Sequence, residues 1–469
     1  MLSPKKYDNP IARCHLYLNY GLLGLASRLA EHGYDVQMHH GRFDPPSELI
    51  ETLTGRGLLD TKHPVFLSIP SSLALGWARD FTDSLKRLSP RAKIVAGGRW
   101  VVAADGPWLK GKLPSIDLVV YGTAERRIEA LLHPEEWAHI PFTDLSTDTR
   151  PESPLDVLPP SDYRLMDRFR EYQPSIEVSR GCGMGCSFCA EADAPLGNMK
   201  APAQVVTELH SCISAYDDSN IHPYLEASYF RPSTTWADEF AGIYSRAGLT
   251  LQWRCETRAD GLPARVIARL AQAGMRVVDM GLESASASQL VAMGKTARPD
   301  VYLKRASEFL RTCANEGIWV KVNVLLFPGE TVSSISETVS WLSAHQQYIK
   351  GVSVGPVIVY RFGQASRIYL DSLRVFGATA VDADALDRLG FSELHLSPTL
   401  DRARARAISR LVSQHFMSDR DFFDLKAFSY LPRGLTYDRF LQLVSSVEAD
   451  SLSFRLPGIP RTDLQLQTP

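Results

Sequence analysis

Three cysteines within eight residues constrain this chain more than any other feature of its sequence. Cys182, Cys186 and Cys189 follow the pattern C-x3-C-x2-C, and glycines separate them. Glycine permits the backbone conformations that wrap a loop around a compact body, and thiolates are the ligands that iron–sulfur clusters select. Three protein ligands leave one iron of a four-iron cluster free to bind a small molecule. The loop therefore predicts a catalytic iron–sulfur centre.

Other uses of these thiols fit the sequence less well. A structural zinc site needs four closed ligands, and the nearest further donors, His210 and Cys212, lie more than twenty residues along the chain. A disulfide framework is disfavoured because seven cysteines in 469 residues is an odd number at ordinary density. We therefore keep the cluster interpretation.

Composition excludes several classes of partner. The net charge is −2, 22% of the residues are charged, and no block of basic residues occurs, so we expect no nucleic-acid partner. The first twenty residues are too polar for a secretory signal, and no apolar run reaches the length of a membrane span. Because the thiols must stay reduced, we expect a cytoplasmic protein with no membrane partner.

Residues 1–135 predict a Rossmann-like α/β domain. Apolar strands are expected at 65–70, 93–98 and 117–122, with a helix at about 74–88 and a short strand after Gly33. Strands that alternate with helices in this way indicate a doubly wound parallel sheet. Ligands in such sheets bind at the carboxyl ends of the strands.

The rest of the chain divides into a linker, a barrel and a cap. Prolines at 141, 151, 154, 159 and 160 mark residues 136–173 as a proline-rich linker. Residues 174–365 predict a partial (β/α)6 barrel, and residues 366–469 a mostly helical, aromatic-rich cap over the open barrel. The barrel strands are expected at 174–179, 222–228, 251–258, 276–283, 319–327 and 351–360.

The cysteine loop, with Phe188 before its last thiol, resembles the C-x3-C-x-Φ-C loop of the radical S-adenosylmethionine (radical SAM) superfamily. RCETRAD at 254–260, GLES at 281–284, MGKT at 293–296 and FPGET at 327–331 resemble later strand signatures of its cobalamin-type branch. The order of signals in residues 1–135 resembles the cobalamin-binding-like domain that precedes many of these barrels. The resemblance to the radical SAM core covers about residues 174–365.

This resemblance implies a [4Fe–4S] cluster held by Cys182, Cys186 and Cys189, with S-adenosylmethionine (SAM) on the unique iron. One electron, from a donor such as flavodoxin or ferredoxin, then cleaves SAM to a 5′-deoxyadenosyl radical that abstracts hydrogen from the substrate. By the same resemblance, three further residues contact SAM: Glu283, Ser284 and Arg258.

Cobalamin binding is left open and is not favoured. The chain contains no D-x-H-x-x-G motif, so it lacks the usual lower-axial histidine, although members of the radical SAM branch often lack that motif as well. His39 and His40 are the nearest alternatives. We interpret both as residues of an exposed strand end.

The predicted barrel strands carry polar residues at alternate positions, which is unusual for buried parallel strands. If this face points into the lumen, the lumen holds five carboxylates and three cationic side chains: Glu177, Glu226, Glu256, Asp279 and Glu283, with Arg254, Arg258 and Lys321. Such a lumen suits a polar, hydroxylated or cationic ligand. A network of internal ion pairs explains the same pattern equally well.

Two reactions follow from the resemblance. The first is radical dehydration of a vicinal diol in an aminosugar, as in the radical SAM diol dehydratases of aminoglycoside (apramycin-pathway) biosynthesis. It needs a carboxyl acid or base, for which Glu226 and Glu256 are the candidates by position, and a separate NAD(P)H-dependent reductase to reduce the product. The alternative is cobalamin-dependent methylation of an unactivated carbon.

Overall fold

The structure, a computed structural model, describes residues 14–41, 44–59, 61–101, 105–139, 142–144, 155 and 158–461. Prolines 141, 151 and 154 of the predicted linker lie outside these residues. No helix in the described part of the chain is long and apolar enough to cross a membrane.

The amino-terminal module contains a four-stranded parallel sheet in the order β1-β2-β3-β4. Its strands are β1 (Val65–Ser68), β2 (Ile94–Gly97), β3 (Leu118–Tyr121) and β4 (Phe142–Asp144). The helices are α1 (Tyr20–Glu31), α2 (Pro46–Gly55), α3 (Leu75–Leu88) and α4 (Gly106–Lys112). The α/β prediction is confirmed.

Two details of this module differ from expectation. The strand order runs sequentially in the described residues, without the reversal of a doubly wound sheet. The strand predicted after Gly33 is reduced to a single parallel bridge between Met38 and Met166. Because this segment pairs with residues beyond β4 in sequence, its partner was not evident from the local pattern.

The central module is a six-stranded parallel sheet in the order β10-β9-β8-β7-β6-β5. The strands are β5 (Ser175–Glu177), β6 (Tyr224–Glu226), β7 (Trp253–Arg258), β8 (Met275–Glu283), β9 (Trp319–Leu326) and β10 (Gly351–Pro356). The connecting helices are α5 (Pro202–Tyr216), α6 (Thr234–Arg246), α7 (Ala264–Gln272), α8 (Ala287–Ala292), α9 (Pro299–Asn315) and α10 (Val332–Ala344). This architecture confirms the partial barrel.

The apolar positions of the barrel strands pack against its helices. Ile176, Leu225, Cys255 and Val278 share one large buried cluster with helix residues such as Leu209. The alternate, polar positions therefore face the other side of the sheet, which is the lumen.

The carboxyl-terminal region contains a sheet that the sequence did not predict. An antiparallel sheet in the order β11-β13-β12 joins β11 (Ile358–Tyr360), β12 (Thr379–Ala380) and β13 (Phe391–His395). The helices are α11 (Gln364–Ser372), α12 (Ala385–Leu389), α13 (Arg402–Phe416), α14 (Asp419–Ala427) and α15 (Tyr437–Val444). The region is otherwise helical, as expected.

The aromatic cap closes the floor of the barrel, at the amino ends of the strands. Phe422, Phe428 and Phe440 share a buried cluster with Val277, near the start of β8. The Arg254 guanidinium, near the start of β7, donates a 2.6 Å hydrogen bond to the Leu425 carbonyl. The mouth at the carboxyl ends of the strands, where the cysteine loop begins, lies at the opposite end.

Candidate active site

The cysteine loop is a tight backbone cradle held by its own hydrogen bonds. The amide of Cys182 donates to the Ala194 carbonyl at 2.8 Å, and the amide of Cys189 to the Cys186 carbonyl at 3.0 Å. Gly181 has φ of +76°, and a Cβ there would lie 2.0 Å from the Pro195 carbonyl oxygen. The close turn at this position therefore requires glycine.

The MGKT segment packs directly on this cradle. The amide and hydroxyl of Ser187 donate to the Met293 carbonyl at 2.9 and 3.1 Å. Gly294 has φ of +63°, and a Cβ there would lie 3.1 Å from the Gly185 carbonyl oxygen. The turn after α8 thus fixes the loop from one side.

The three thiols are free, and their donor chemistry fits a cluster better than a single ion. Cys186 is buried, whereas Cys182 and Cys189 are half-buried. Burial raises the pKa of the Cys182 and Cys189 thiols above the ordinary value. Among the described residues, no three histidine, cysteine or carboxylate side chains converge closely enough for one metal ion. Thiolates of a four-iron cluster bind different irons, so they stand further apart.

Arg258 connects the loop with the ends of β7 and α8. Its Nη1 lies 3.5 Å from the Cys186 sulfur, and its Nη2 donates to the Lys295 carbonyl at 2.8 Å. Its Nε donates to Asp260 at 3.0 Å. This buried guanidinium places a positive charge beside the thiols.

Glu283 and Ser284 are neighbours in sequence that face different surroundings. Glu283 adopts φ of +66° at the end of β8 and accepts a 3.0 Å hydrogen bond from the Lys295 ammonium. The Ser284 hydroxyl instead contacts the Thr338 hydroxyl at 3.1 Å and accepts a 3.1 Å hydrogen bond from the Ser286 amide. Glu283 therefore belongs to the group around Arg258, whereas Ser284 packs against α10.

The strand register aligns the lumen carboxylates into one layer. Glu177 pairs with Glu226, and Glu256 pairs with Asp279, which in turn pairs with Lys321. Below this layer, Tyr224 pairs with Arg254. Because neighbouring residues of parallel strands lie side by side, the polar pattern becomes a ring of charge across the barrel.

Half of this ring is neutralised by internal ion pairs. Asp279 receives two hydrogen bonds from Arg254, at 2.6 and 2.7 Å, and one from Lys321 at 3.2 Å. These two cations lower the pKa of Asp279 despite its burial. Glu177 is paired with Arg180 at 2.7 Å. The ion-pair interpretation of the lumen is correct for these residues.

Glu226 and Glu256 form no ion pair within the described chain. The Ser175 hydroxyl donates to Glu226 at 3.0 Å. Burial, together with the charges of the neighbouring Glu256 and Glu177, raises the pKa of Glu226 to about 8. Burial, followed by the charge of Asp279, also raises the pKa of Glu256. The side chain of Glu256 nonetheless remains accessible, because it lines a lumen that is open at the mouth.

The carboxyl edge of the amino-terminal sheet faces the cysteine loop and the barrel mouth. Arg99, after β2, pairs with Glu191 of the loop and donates to the Ser228 hydroxyl at 3.3 Å. Arg180, before Cys182, lies 2.6 Å from Glu125, after β3. Sequence reasoning identified none of Arg99, Glu125 and Lys295 as a site residue. Each nevertheless carried a sequence signal: Arg99 follows a strand-ending Gly-Gly pair, Glu125 ends a G-x-x-E pattern that begins at Gly122, and Lys295 lies in the MGKT segment.

Comparison with known proteins identifies the central module. Residues 176–342 match the family model described as the Radical SAM superfamily. These residues form a radical SAM domain. Its cofactors are a [4Fe–4S] cluster and SAM, and the thiol loop fits the cluster. A search of curated protein sequences found no match.

Two solved structures resemble nearly the whole chain. One is the radical SAM methyltransferase TsrM from Kitasatospora setae with tryptophan substrate and a SAM analogue bound. It is 17% identical, with 94% of each chain covered and a TM-score of 0.66. The other is TsrM from the same organism with cobalamin and a [4Fe–4S] cluster bound, at 18% identity, coverage of 94% of this chain and 90% of that one, and a TM-score of 0.61. At this identity the likeness establishes a shared fold.

Proposed function

We propose that this chain is a cobalamin-dependent radical SAM methyltransferase that methylates a carbon of a small polar molecule. The observation that carries the proposal is the arrangement of the two sheets. The carboxyl edge of the amino-terminal sheet, where Rossmann-like domains bind ligands, meets the cysteine loop through Arg99 and Arg180. A corrinoid held at that edge would adjoin both the SAM site and the lumen.

The proposed roles at the cluster follow from the contacts. Cys182, Cys186 and Cys189 would hold the cluster, and Arg258 would stabilise the thiolate of Cys186, which it contacts. Glu283, paired with Lys295, would contact SAM through its partly exposed carboxylate. When bound, the cluster supplies the electron that cleaves SAM, and a corrinoid supplies a methyl carrier. Flavodoxin or ferredoxin is the proposed source of that electron.

The amino-terminal edge offers residues that suit a corrinoid. Ser68 accepts a 2.8 Å hydrogen bond from Asn19 at the end of β1. Gly98, with φ of +118°, is exposed at the end of β2, and a Cβ there would lie 2.9 Å from the Ile69 backbone. One carboxylate oxygen of Glu125 is buried without a hydrogen-bond partner among the described residues. Such an orphaned acceptor suits an amide donor, and corrinoids carry several amides.

Neither His39 nor His40 is proposed as the lower axial ligand of a bound corrinoid. The charged groups that most affect His39 are Asp167, Arg56 and Asp44, which belong to other parts of the chain than the cysteine loop. Burial lowers the pKa of His39. We therefore propose that any corrinoid binds without a protein imidazole on its lower face.

Radical dehydration of an aminosugar diol remains the second candidate. Its supporting observation is Glu226, whose raised pKa of about 8 suits a carboxylic acid that donates a proton at neutral pH. It would also need the NAD(P)H-dependent reductase. We rank it below methylation because the two structures that match nearly the whole chain are of a methyltransferase.

Corrinoid binding tests the proposal directly. Cluster-loaded protein is incubated with hydroxocobalamin under anaerobic conditions and passed through a desalting column, and the retained corrinoid is measured by absorption. We expect about one corrinoid per chain, with the spectrum of a form lacking an imidazole ligand. Stoichiometric cluster with no retained corrinoid would overturn the methyltransferase proposal and favour dehydration.

A further inference from the structure

The barrel lumen contains two neighbouring carboxyl groups that form no ion pair within the described chain. Glu226 and Glu256 occupy the same layer on adjacent strands, since Leu225 pairs with Cys255 immediately before them. The charge of Glu256 contributes to the raised pKa of Glu226. The nearby cations Arg254 and Lys321 both bind Asp279. They lower the pKa of Glu256 but form no ion pair with either carboxyl group in the described chain.

Tyr224 lies on the same face of β6, two residues before Glu226 and beside Arg254 of β7. Its side chain is 4% exposed and packs against Arg254 and Tyr430, and its hydroxyl makes no hydrogen bond within the described chain. Burial, then Tyr430, Asp279, Glu256 and Glu226, raise the pKa of this hydroxyl. A buried hydroxyl without a partner costs free energy unless a ligand or water satisfies it.

We propose that Glu226 and Glu256 bind a positively charged nitrogen of the substrate, with the Tyr224 hydroxyl as an additional hydrogen-bonding group. The substrate class is accordingly a small molecule with an amine or another cationic nitrogen. This inference rests on the proposed function only in placing the substrate inside the barrel.

The chemistry favours an ammonium group over the other cations. Two carboxylates and a phenol provide too few oxygen ligands for a divalent metal, and no metal-binding group of three carboxylate, histidine or cysteine side chains occurs in the described residues. An ammonium group has three donors and one positive charge, which match this set of acceptors. The charge of the ligand would also offset the repulsion between two neighbouring carboxylates.

The surroundings of the pair allow an aromatic or a hydroxylated amine. Burial raises the pKa of Tyr20, Tyr224 and Tyr430, and the charge of Glu226 contributes to each of these shifts. Three phenols are therefore near Glu226. Phenol rings provide both apolar faces and hydroxyl groups. We therefore expect the lumen to select substrates by their positive charge more strictly than by the structure of their other groups.

Matched pairs of amine and alcohol test this inference. Binding of tryptamine is compared with that of tryptophol, and binding of glucosamine with that of glucose, because each pair differs at one position between an amine and a hydroxyl. The titrations use cluster-loaded protein without SAM or corrinoid. In at least one pair, we expect the amine to bind about tenfold or more tightly than the alcohol.

Isosteric variants locate the effect. Glu226→Gln and Glu256→Gln should each weaken amine binding by about tenfold and leave alcohol binding unchanged, whereas Glu239→Gln, on the exposed face of α6, should change neither. Absence of amine preference in both pairs, or a preference that survives both lumen substitutions, would overturn the inference. Because no corrinoid is present, this result is independent of whether the protein is a methyltransferase.

Discussion

Arg180 and Glu125 join the two parallel sheets of this protein through an ion pair of 2.6 Å at the entrance to the radical SAM domain. Arg180 also holds Glu177 of the lumen at 2.7 Å. One guanidinium therefore connects the edge of the amino-terminal sheet, the cysteine loop that follows it, and the charged layer of the barrel.

Removing this guanidinium should destabilise the protein. Arg180→Ala leaves Glu125 and Glu177 as unpaired carboxylates whose side chains are only 6% and 14% exposed. We expect the free energy of unfolding to fall by about 2 kcal/mol, as measured by urea denaturation. Arg164→Ala is the matched control, because Arg164 pairs with Asp162 at the surface and its loss should cost less than about 1 kcal/mol. Equal losses in the two variants would refute the connecting role of Arg180.

Iron content tests the cysteine loop. Cys186→Ala should lose most of the iron bound after anaerobic reconstitution and all SAM cleavage, because the cluster loses one of three protein ligands. Cys313→Ala removes a buried thiol of α9, outside the loop, and should keep the iron of the unsubstituted protein. A variant at Cys186 that retains both iron and cleavage would contradict the assignment of the cluster.

Glu283 and Ser284 should behave differently when substituted. Glu283→Gln should weaken SAM binding by about tenfold, since it removes the charged partner of Lys295 beside the cysteine loop. Ser284→Ala should leave SAM affinity nearly unchanged and lower stability by about 1–2 kcal/mol, because its hydroxyl bonds within the fold. Equilibrium dialysis with labelled SAM distinguishes the two effects, and a larger loss of affinity at Ser284 would reverse these roles.

Glu226 should make stability depend on pH. Its pKa is about 8 in the folded protein and near the ordinary 4.5 in the unfolded chain, so the folded state binds more protons between these values. The free energy of unfolding should therefore fall as the pH rises through that window, by up to about 1.4 kcal/mol per pH unit from this group. Glu226→Gln should make the decline shallower in denaturation series at pH 5, 6, 7 and 8. An unchanged slope would show that Glu226 titrates normally.

Much of the barrel could be predicted from sequence because its strands combine apolar positions with regular polar alternation. The motif around Cys182 fixed the position of the first strand, and each later strand followed a helical segment. The strand Phe391–His395 was missed because it pairs only with short segments that carry no alternation of their own. Loops and edges of this kind depend on tertiary pairing.

The pairing of the charged residues in the lumen could not be predicted from the sequence alone. Sequence reasoning identified Glu226, Glu256, Asp279, Arg254 and Lys321 as one polar face but left open whether they pair internally or bind a ligand. The strand register places Asp279 beside Lys321 and within reach of Arg254, so Asp279 is paired internally. The contact of Arg99 with the cysteine loop also required the structure, because its position after a strand-ending Gly-Gly pair indicates a turn but not a partner.

Transfer of a labelled methyl group would distinguish methylation from dehydration. Cluster-loaded and corrinoid-loaded protein is supplied with reductant, SAM carrying a trideuterated methyl group, and a panel of amine-bearing small molecules, and the products are analysed by mass spectrometry. For a cobalamin-dependent methyltransferase, we expect a product in which one trideuterated methyl group replaces a hydrogen of the substrate, and no such product without corrinoid. A dehydrated product with no deuterium, formed equally well without corrinoid, would show that the chain is not a methyltransferase.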